Sequence, residues 1–175
     1  MKKFLLVIAA VLGFVSAQAQ EMYLGGGISL WRNTEADRTS FSIAPDFGYN
    51  LSERWAVGGE LGIAINGKGD NSPQTRSFAI APYARYSYYE NKVVRLFIDM
   101  GVGISTTKVK DGNRDNGFEI GFKPGLAIKL NDSFSFITKV GFAGYRKDYY
   151  RSMGEDGFGV TVDGENISIG IDYEF

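Results

Sequence analysis

Apolar and polar residues alternate with a period of two along nearly the whole chain, the mark of strands with two unlike faces. Eight such runs are predicted, roughly 21–32, 41–51, 55–66, 77–89, 93–105, 117–130, 134–145 and 165–175. The links between them alternate in length. Ser52-Glu53-Arg54, Glu90-Asn91-Lys92 and Asn131-Asp132-Ser133 read as tight turns, whereas 33–40, 67–76, 106–116 and 146–164 are longer and rich in Gly, Asn, Asp and charge. Short turns at one rim and long loops at the other suit an eight-stranded antiparallel up-and-down transmembrane β-barrel. An even strand number brings both termini to the short-turn rim.

A repeat runs through the pattern. Phe41-Ser42-Ile43-Ala44-Pro45 recurs as Phe78-Ala79-Ile80-Ala81-Pro82 and, more loosely, as Ile120-Gly121-Phe122-Lys123-Pro124. Leu51, Tyr88 or Leu130 follows six residues after each Pro, and then comes a tight turn. The repeat marks successive hairpins of one barrel. The prolines predict a local bulge or a break in pairing, because each removes a ladder donor.

Volume decides which face points inward. One face carries bulky residues such as Leu24, Ile28, Phe47, Leu61, Ile98, Met100, Leu126 and Phe136, while the other is largely Gly and Ala. The interior of an eight-stranded barrel is only just wide enough for side chains to fill. The bulky set does not fit there, so it faces lipid. Asp46, Glu60, Arg85, Asp99, Lys123 and Lys139 fall near mid-strand on the small-residue face. They are expected to form a neutral, cross-linked network in the lumen, extended towards the rims by Arg95, Glu119, Lys129, Asp172 and Glu174. In lipid, a mid-plane Arg or Lys would cost about 2–4 kcal/mol.

The N-terminus adds a destination. Met1-Lys2-Lys3, the apolar run Phe4 to Val15 and Ser16-Ala17-Gln18-Ala19 have the layout of a secretory signal peptide. Residues 1–19 are therefore expected to be a leader and 20–175 the barrel domain. Without Lys2 and Lys3, the 19 Lys and Arg residues become 17 against 20 Asp and Glu, a net charge of −3. That balance, with no basic patch, argues against a nucleic-acid partner. Cys and His are both absent, which removes thiol chemistry and the commonest general base.

The last strand carries the most specific motif. Ser168, Gly170, Tyr173 and Phe175 fill a polar-x-Gly-x-x-aromatic-x-aromatic pattern that ends on the final residue. The pattern resembles the C-terminal assembly signal of bacterial outer-membrane β-barrels. With the strands, loops and leader, the chain is similar to small outer-membrane proteins of the OmpA/OmpX-like, porin-superfamily type. The resemblance implies residence in the outer-membrane lipid bilayer of a Gram-negative bacterium, both termini periplasmic. It also implies insertion by the outer-membrane β-barrel assembly machinery reading Ser168 to Phe175. The peptidoglycan-binding domain of OmpA-type proteins is not expected here.

Asp111-Gly112-Asn113-Arg114-Asp115-Asn116-Gly117 resembles the start of a calcium loop. Its Gly comes one place late, however, and Phe122 stands where a bidentate Glu is needed, so it reads as a polar loop and hairpin. No cofactor, metal site or catalytic group is expected. Arg146, Tyr149, Tyr150 and Arg151 form the candidate contact loop for an extracellular ligand, since Tyr and Arg favour binding hot spots. The expected role is structural or surface-interacting and non-enzymatic. A narrow channel for ions or small solutes is the alternative, ahead of a lipid-modifying enzyme.

Overall fold

The computed structural model of the protein describes residues 22–33, 38–68, 73–150, 156–161 and 167–175. The expected leader and Arg151 lie outside the described residues. Ten strand segments are present: β1 (Met22–Asn33), β2 (Arg38–Asn50), β3 (Trp55–Asn66), β4 (Thr75–Glu90), β5 (Val94–Val109), β6 (Arg114–Lys129), β7 (Phe134–Val140), β8 (Phe142–Lys147), β9 (Gly157–Thr161) and β10 (Ile167–Glu174). All pairings are antiparallel, and β1 to β6 follow one another around the wall. β7 and β8 together pair with β6. β10 pairs with β7 on one side and with β1 on the other, from Tyr23↔Glu174 to Gly27↔Gly170, which closes an eight-stranded antiparallel barrel.

Two details depart from the expected strand limits. The seventh stave is split into β7 and β8 at Gly141, whose φ of 77° lies in the left-handed region that favours glycine. The long links are also shorter than expected. β5 and β6 stay paired up to Lys108↔Arg114, leaving a turn at 110–113 closed by Val109 N donating to Asn113 O at 3.2 Å. Likewise 146–164 is not all loop, because β9 pairs with β8 from Phe142↔Thr161 to Arg146↔Gly157. Once strands rise above the lipid belt both faces become polar. The apolar period then fades from the sequence although the hydrogen-bond ladder continues.

The prolines acquire a structural reason. Pairing from β2 to β3 skips Ala44 and Pro45, between Ile43↔Ile63 and Asp46↔Glu60. Pairing from β4 to β5 skips Ala81 and Pro82, between Ile80↔Ile104 and Tyr83↔Gly101. Beyond Pro124, the partner of β6 changes from β7 (Gly125↔Lys139) to β8 (Phe122↔Ala143), with one extra residue on the partner stave. Each Pro thus stands where the ladder to the next stave is interrupted, as a residue without an N–H requires.

A single device closes the three tight turns. Ser52 Oγ accepts Trp55 N at 3.1 Å, Asn91 Oδ1 accepts Val94 N at 2.7 Å and Asn131 Oδ1 accepts Phe134 N at 2.8 Å. These short polar side chains imitate a backbone turn. Around the outside, Leu24, Phe47, Ile63, Ile120, Phe122, Ile169 and Ile171 are all exposed, Phe122 to 52%. Next to the tight turns Trp55 meets Tyr86 at 4.8 Å between ring centroids, and Phe134 meets Tyr173 at 4.9 Å. The resulting outline is an apolar belt with an aromatic girdle at the turn rim.

Candidate functional site

The lumen is where the sequence placed its chemistry, and alternation delivers it there. Asp46, Glu60, Arg85, Asp99, Lys139 and Asp172 are buried, while their chain neighbours Phe47, Leu61 and Ile171 are exposed. Arg85 and Asp99 are cross-strand partners on β4 and β5, joined by two hydrogen bonds of 2.7 and 3.0 Å. The same guanidinium stands 3.6 Å from Asp172 and 3.9 Å from Asp46. Lys139 Nζ lies 3.0 Å from Asp99, 3.3 Å from Asp46 and 3.7 Å from Glu60. Shared carboxylates therefore make the two cations one network.

This network is not the neutral set that the sequence suggested. Lys123 turns instead to Glu119, which also accepts a 3.0 Å hydrogen bond from Arg146 Nε. Asp172 takes its place, so the mid-lumen cluster holds four carboxylates against two cations. Glu119, Lys123 and Arg146 form a second group one layer nearer the long loops. A third joins Glu90, Arg95, Lys129 and Glu174 at the tight-turn rim. There, beyond the lipid belt, partial burial pushes the Glu90 carboxyl up. Hydrogen bonds from Arg95 and Lys129 outweigh that effect and hold it below its ordinary value.

Aromatic side chains complete the filling, and they are what the sequence reading missed. Tyr83 Oη donates to Asp46 Oδ1 at 2.6 Å and lies 2.7 Å from Tyr23 Oη. The Phe97 ring is fully buried beneath the Arg85 guanidinium, 4.0 Å from ring centroid to Cζ, a cation–π contact. Each ring lies opposite a glycine on the next stave: Tyr23↔Gly48, Tyr83↔Gly58 and Phe97↔Gly125. A Cβ at any of the three glycines would collide with the ring facing it. The glycines thus make room for rings that bridge the lumen. The available signal was phase, because Tyr83 and Phe97 each lie two positions from a lumen charge.

Between the two inner charge layers a cavity of about 20 Å³ remains, lined by residues including Glu60, Asp99, Glu119, Lys123, Lys139 and Phe142. That is room for about one water molecule. Among the described residues, no group of three or more acids could hold a metal ion.

The remaining candidates divide between inside and outside. In the contact loop, Arg146 faces inward with its guanidinium 3.7 Å from the centroid of the Phe142 ring. Tyr149 is 2% exposed and Tyr150 is half-buried. Of the terminal motif, Ser168 and Gly170 lie on the lumen side of β10. Tyr173 and Phe175 stack edge-on with centroids 4.9 Å apart, and Phe175 N donates to Met22 O at 3.1 Å.

Residues 5–175 match the family described as outer membrane protein beta-barrel domain. No curated protein matches the chain. Among solved structures, OprG of Pseudomonas aeruginosa is similar with a TM-score of 0.56 and 14% identity, covering 90% of this chain and 96% of that one. The N-terminal β-barrel domain of OprF from the same organism gives a TM-score of 0.51 at 14% identity, with 89% and 98% covered. Ail of Yersinia pestis, solved in a phospholipid bilayer nanodisc, gives 0.51 at 14% identity, with 89% and 99% covered. At such identities the likeness is one of fold. The family match takes in nearly all of the sequence, and the protein belongs to the outer membrane protein beta-barrel domain family of Gram-negative bacteria.

Proposed function

We propose that the protein is a closed, non-enzymatic outer-membrane barrel whose role is structural and surface-interacting, exerted from its long-loop rim. The observation that carries this reading is the lumen itself. Paired charges and bridging rings cross it, and the cavity between the two inner charge layers, about 20 Å³, is too small for a hydrated ion to pass. The purified barrel in a planar bilayer is expected to be electrically silent. Discrete conductance steps would instead establish the narrow channel.

In this reading both termini are periplasmic and the long hairpins are extracellular. The surface for contact is the outer part of the β8–β9 hairpin, where Phe158 and Val160 are 86% and 73% exposed. Cells displaying the intact protein are expected to be retained on host-cell or ligand-coated surfaces better than cells in which 156–161 is replaced by a Gly-Ser segment of equal length. Equal retention would remove the surface role.

The assembly machinery is proposed to read Ser168, Gly170, Tyr173 and Phe175. Deleting Phe175 should lower the amount reaching the outer membrane in cells while refolding in detergent is unchanged. Loss of both would make Phe175 a purely structural residue.

A further inference from the structure

We infer that Asp148-Tyr149-Tyr150 is an intramolecular plug that seals the lumen from the long-loop side. After β8 the chain reverses at Asp148, whose φ of 49° is left-handed, and a carboxylate holds the reversal, since Asp148 N donates to Asp156 Oδ1 at 2.6 Å. The next two side chains enter the barrel mouth. Tyr149 and Tyr150 meet edge to face with ring centroids 4.9 Å apart. Tyr150 N donates to Ser105 Oγ on β5 at 3.2 Å.

The wall is shaped to receive them. Gly62 on β3, Gly103 on β5 and Gly117 on β6 face the plug from three staves. A Cβ on Gly103 would come within 2.7 Å of the Tyr149 hydroxyl. One on Gly62 would strike the Tyr150 hydroxyl, and one on Gly117 the Asp148 carbonyl. Real Cβ atoms do not approach other heavy atoms so closely, so side chains at these three inward positions would force the tyrosines or the Asp148 backbone to shift. Beneath it lies the layer of Glu119, Lys123 and Arg146, which the plug separates from bulk water.

The absence of native cysteine allows a direct test. Ala79 is cross-strand partner to Gly62 and 1% exposed, so Ala79→Cys places a thiol under Tyr150. In nanodiscs, its reaction with a charged maleimide is expected to be slow. Adding Tyr149→Gly and Tyr150→Gly should speed it by at least about tenfold, as for any group released from local protection. Tyr149→Phe with Tyr150→Phe keeps the bulk and should keep the protection. The mid-lumen network bars the approach from the tight-turn rim in every variant. Each protein is first checked for the gel shift on boiling that reports a folded barrel. If the double glycine variant fails that check, Tyr150→Gly alone takes its place. A thiol that reacts equally fast with and without the tyrosines, or stays equally protected in both, overturns the plug.

Discussion

Arg85 and Asp99 face each other across β4 and β5 and are joined by parallel hydrogen bonds, Nε to Oδ1 at 2.7 Å and Nη2 to Oδ2 at 3.0 Å. The fork matches guanidinium to carboxylate, and the same guanidinium also faces Asp172 and Asp46. Replacing Arg85 by Met would strand several buried carboxylates around Lys139 alone. Breaking a buried pair in this way costs about 3–5 kcal/mol. The midpoint of urea unfolding in lipid vesicles should fall accordingly. Arg85→Lys should lose less, since it keeps the charge but not the fork.

Phe122 tests which face meets lipid. It stands at mid-height beside Lys123, cross-strand from Met100, and is exposed on the outer wall. Phe122→Arg should destabilise the folded state by about 2–4 kcal/mol in bilayers, whereas Phe122→Leu should be nearly silent. Equal unfolding free energies for the two variants would contradict the assignment of faces.

Gly125 and Phe97 make a coupled pair. A side chain on Gly125 would run into the Phe97 ring, and overpacking of this kind costs about 1–3 kcal/mol. Gly125→Val should therefore destabilise the barrel, and adding Phe97→Ala should recover part of the loss. A double-mutant cycle reads the coupling directly. Additive effects would show that the ring does not rest on that glycine.

Glu90 gives a pH dependence at the turn rim. Its carboxyl is held below the ordinary value by Arg95 and Lys129, so the folded state binds that proton less readily than the unfolded chain. The contribution to stability is present above the ordinary glutamate range and is lost as pH falls through the depressed value. A carboxyl titration by NMR should show a low midpoint that rises in Lys129→Met. A midpoint indifferent to that substitution would remove the lysine from the account.

Alternation made the barrel legible because a one-residue slip would turn every Phe and Ile of the belt into the lumen. The same rule placed Asp46, Glu60, Arg85, Asp99 and Lys139 inside, and volume decided which face was which. Periodicity could not follow β5 and β6 above the lipid, where Thr106, Thr107 and Lys108 face Asn116, Asp115 and Arg114 and neither face is apolar. Nor could it tell that Tyr23, Tyr83 and Phe97 are lumen residues, since bulk alone suggested the outside. For Tyr83 and Phe97, phase with Arg85 and Asp99 two positions away was the sign to follow.

The sequence by itself determined the eight staves within the apolar belt, the faces of their charged and aliphatic residues and the three tight turns, because these depend on local chemistry and a fixed period of two. Only the tertiary structure decided the ion partners. Lys123 lies cross-strand from Asp99 yet binds Glu119, while Lys139 reaches Asp99 from a stave that β6 separates from β5. Closing a sheet into a narrow cylinder brings side chains together across its axis. Distances across that axis depend on barrel radius and stagger, which no stretch of neighbouring residues specifies. The inward fold of Tyr149 and Tyr150 has the same origin, because the seat they fill is shared by β3, β5 and β6 and forms only once the barrel has closed.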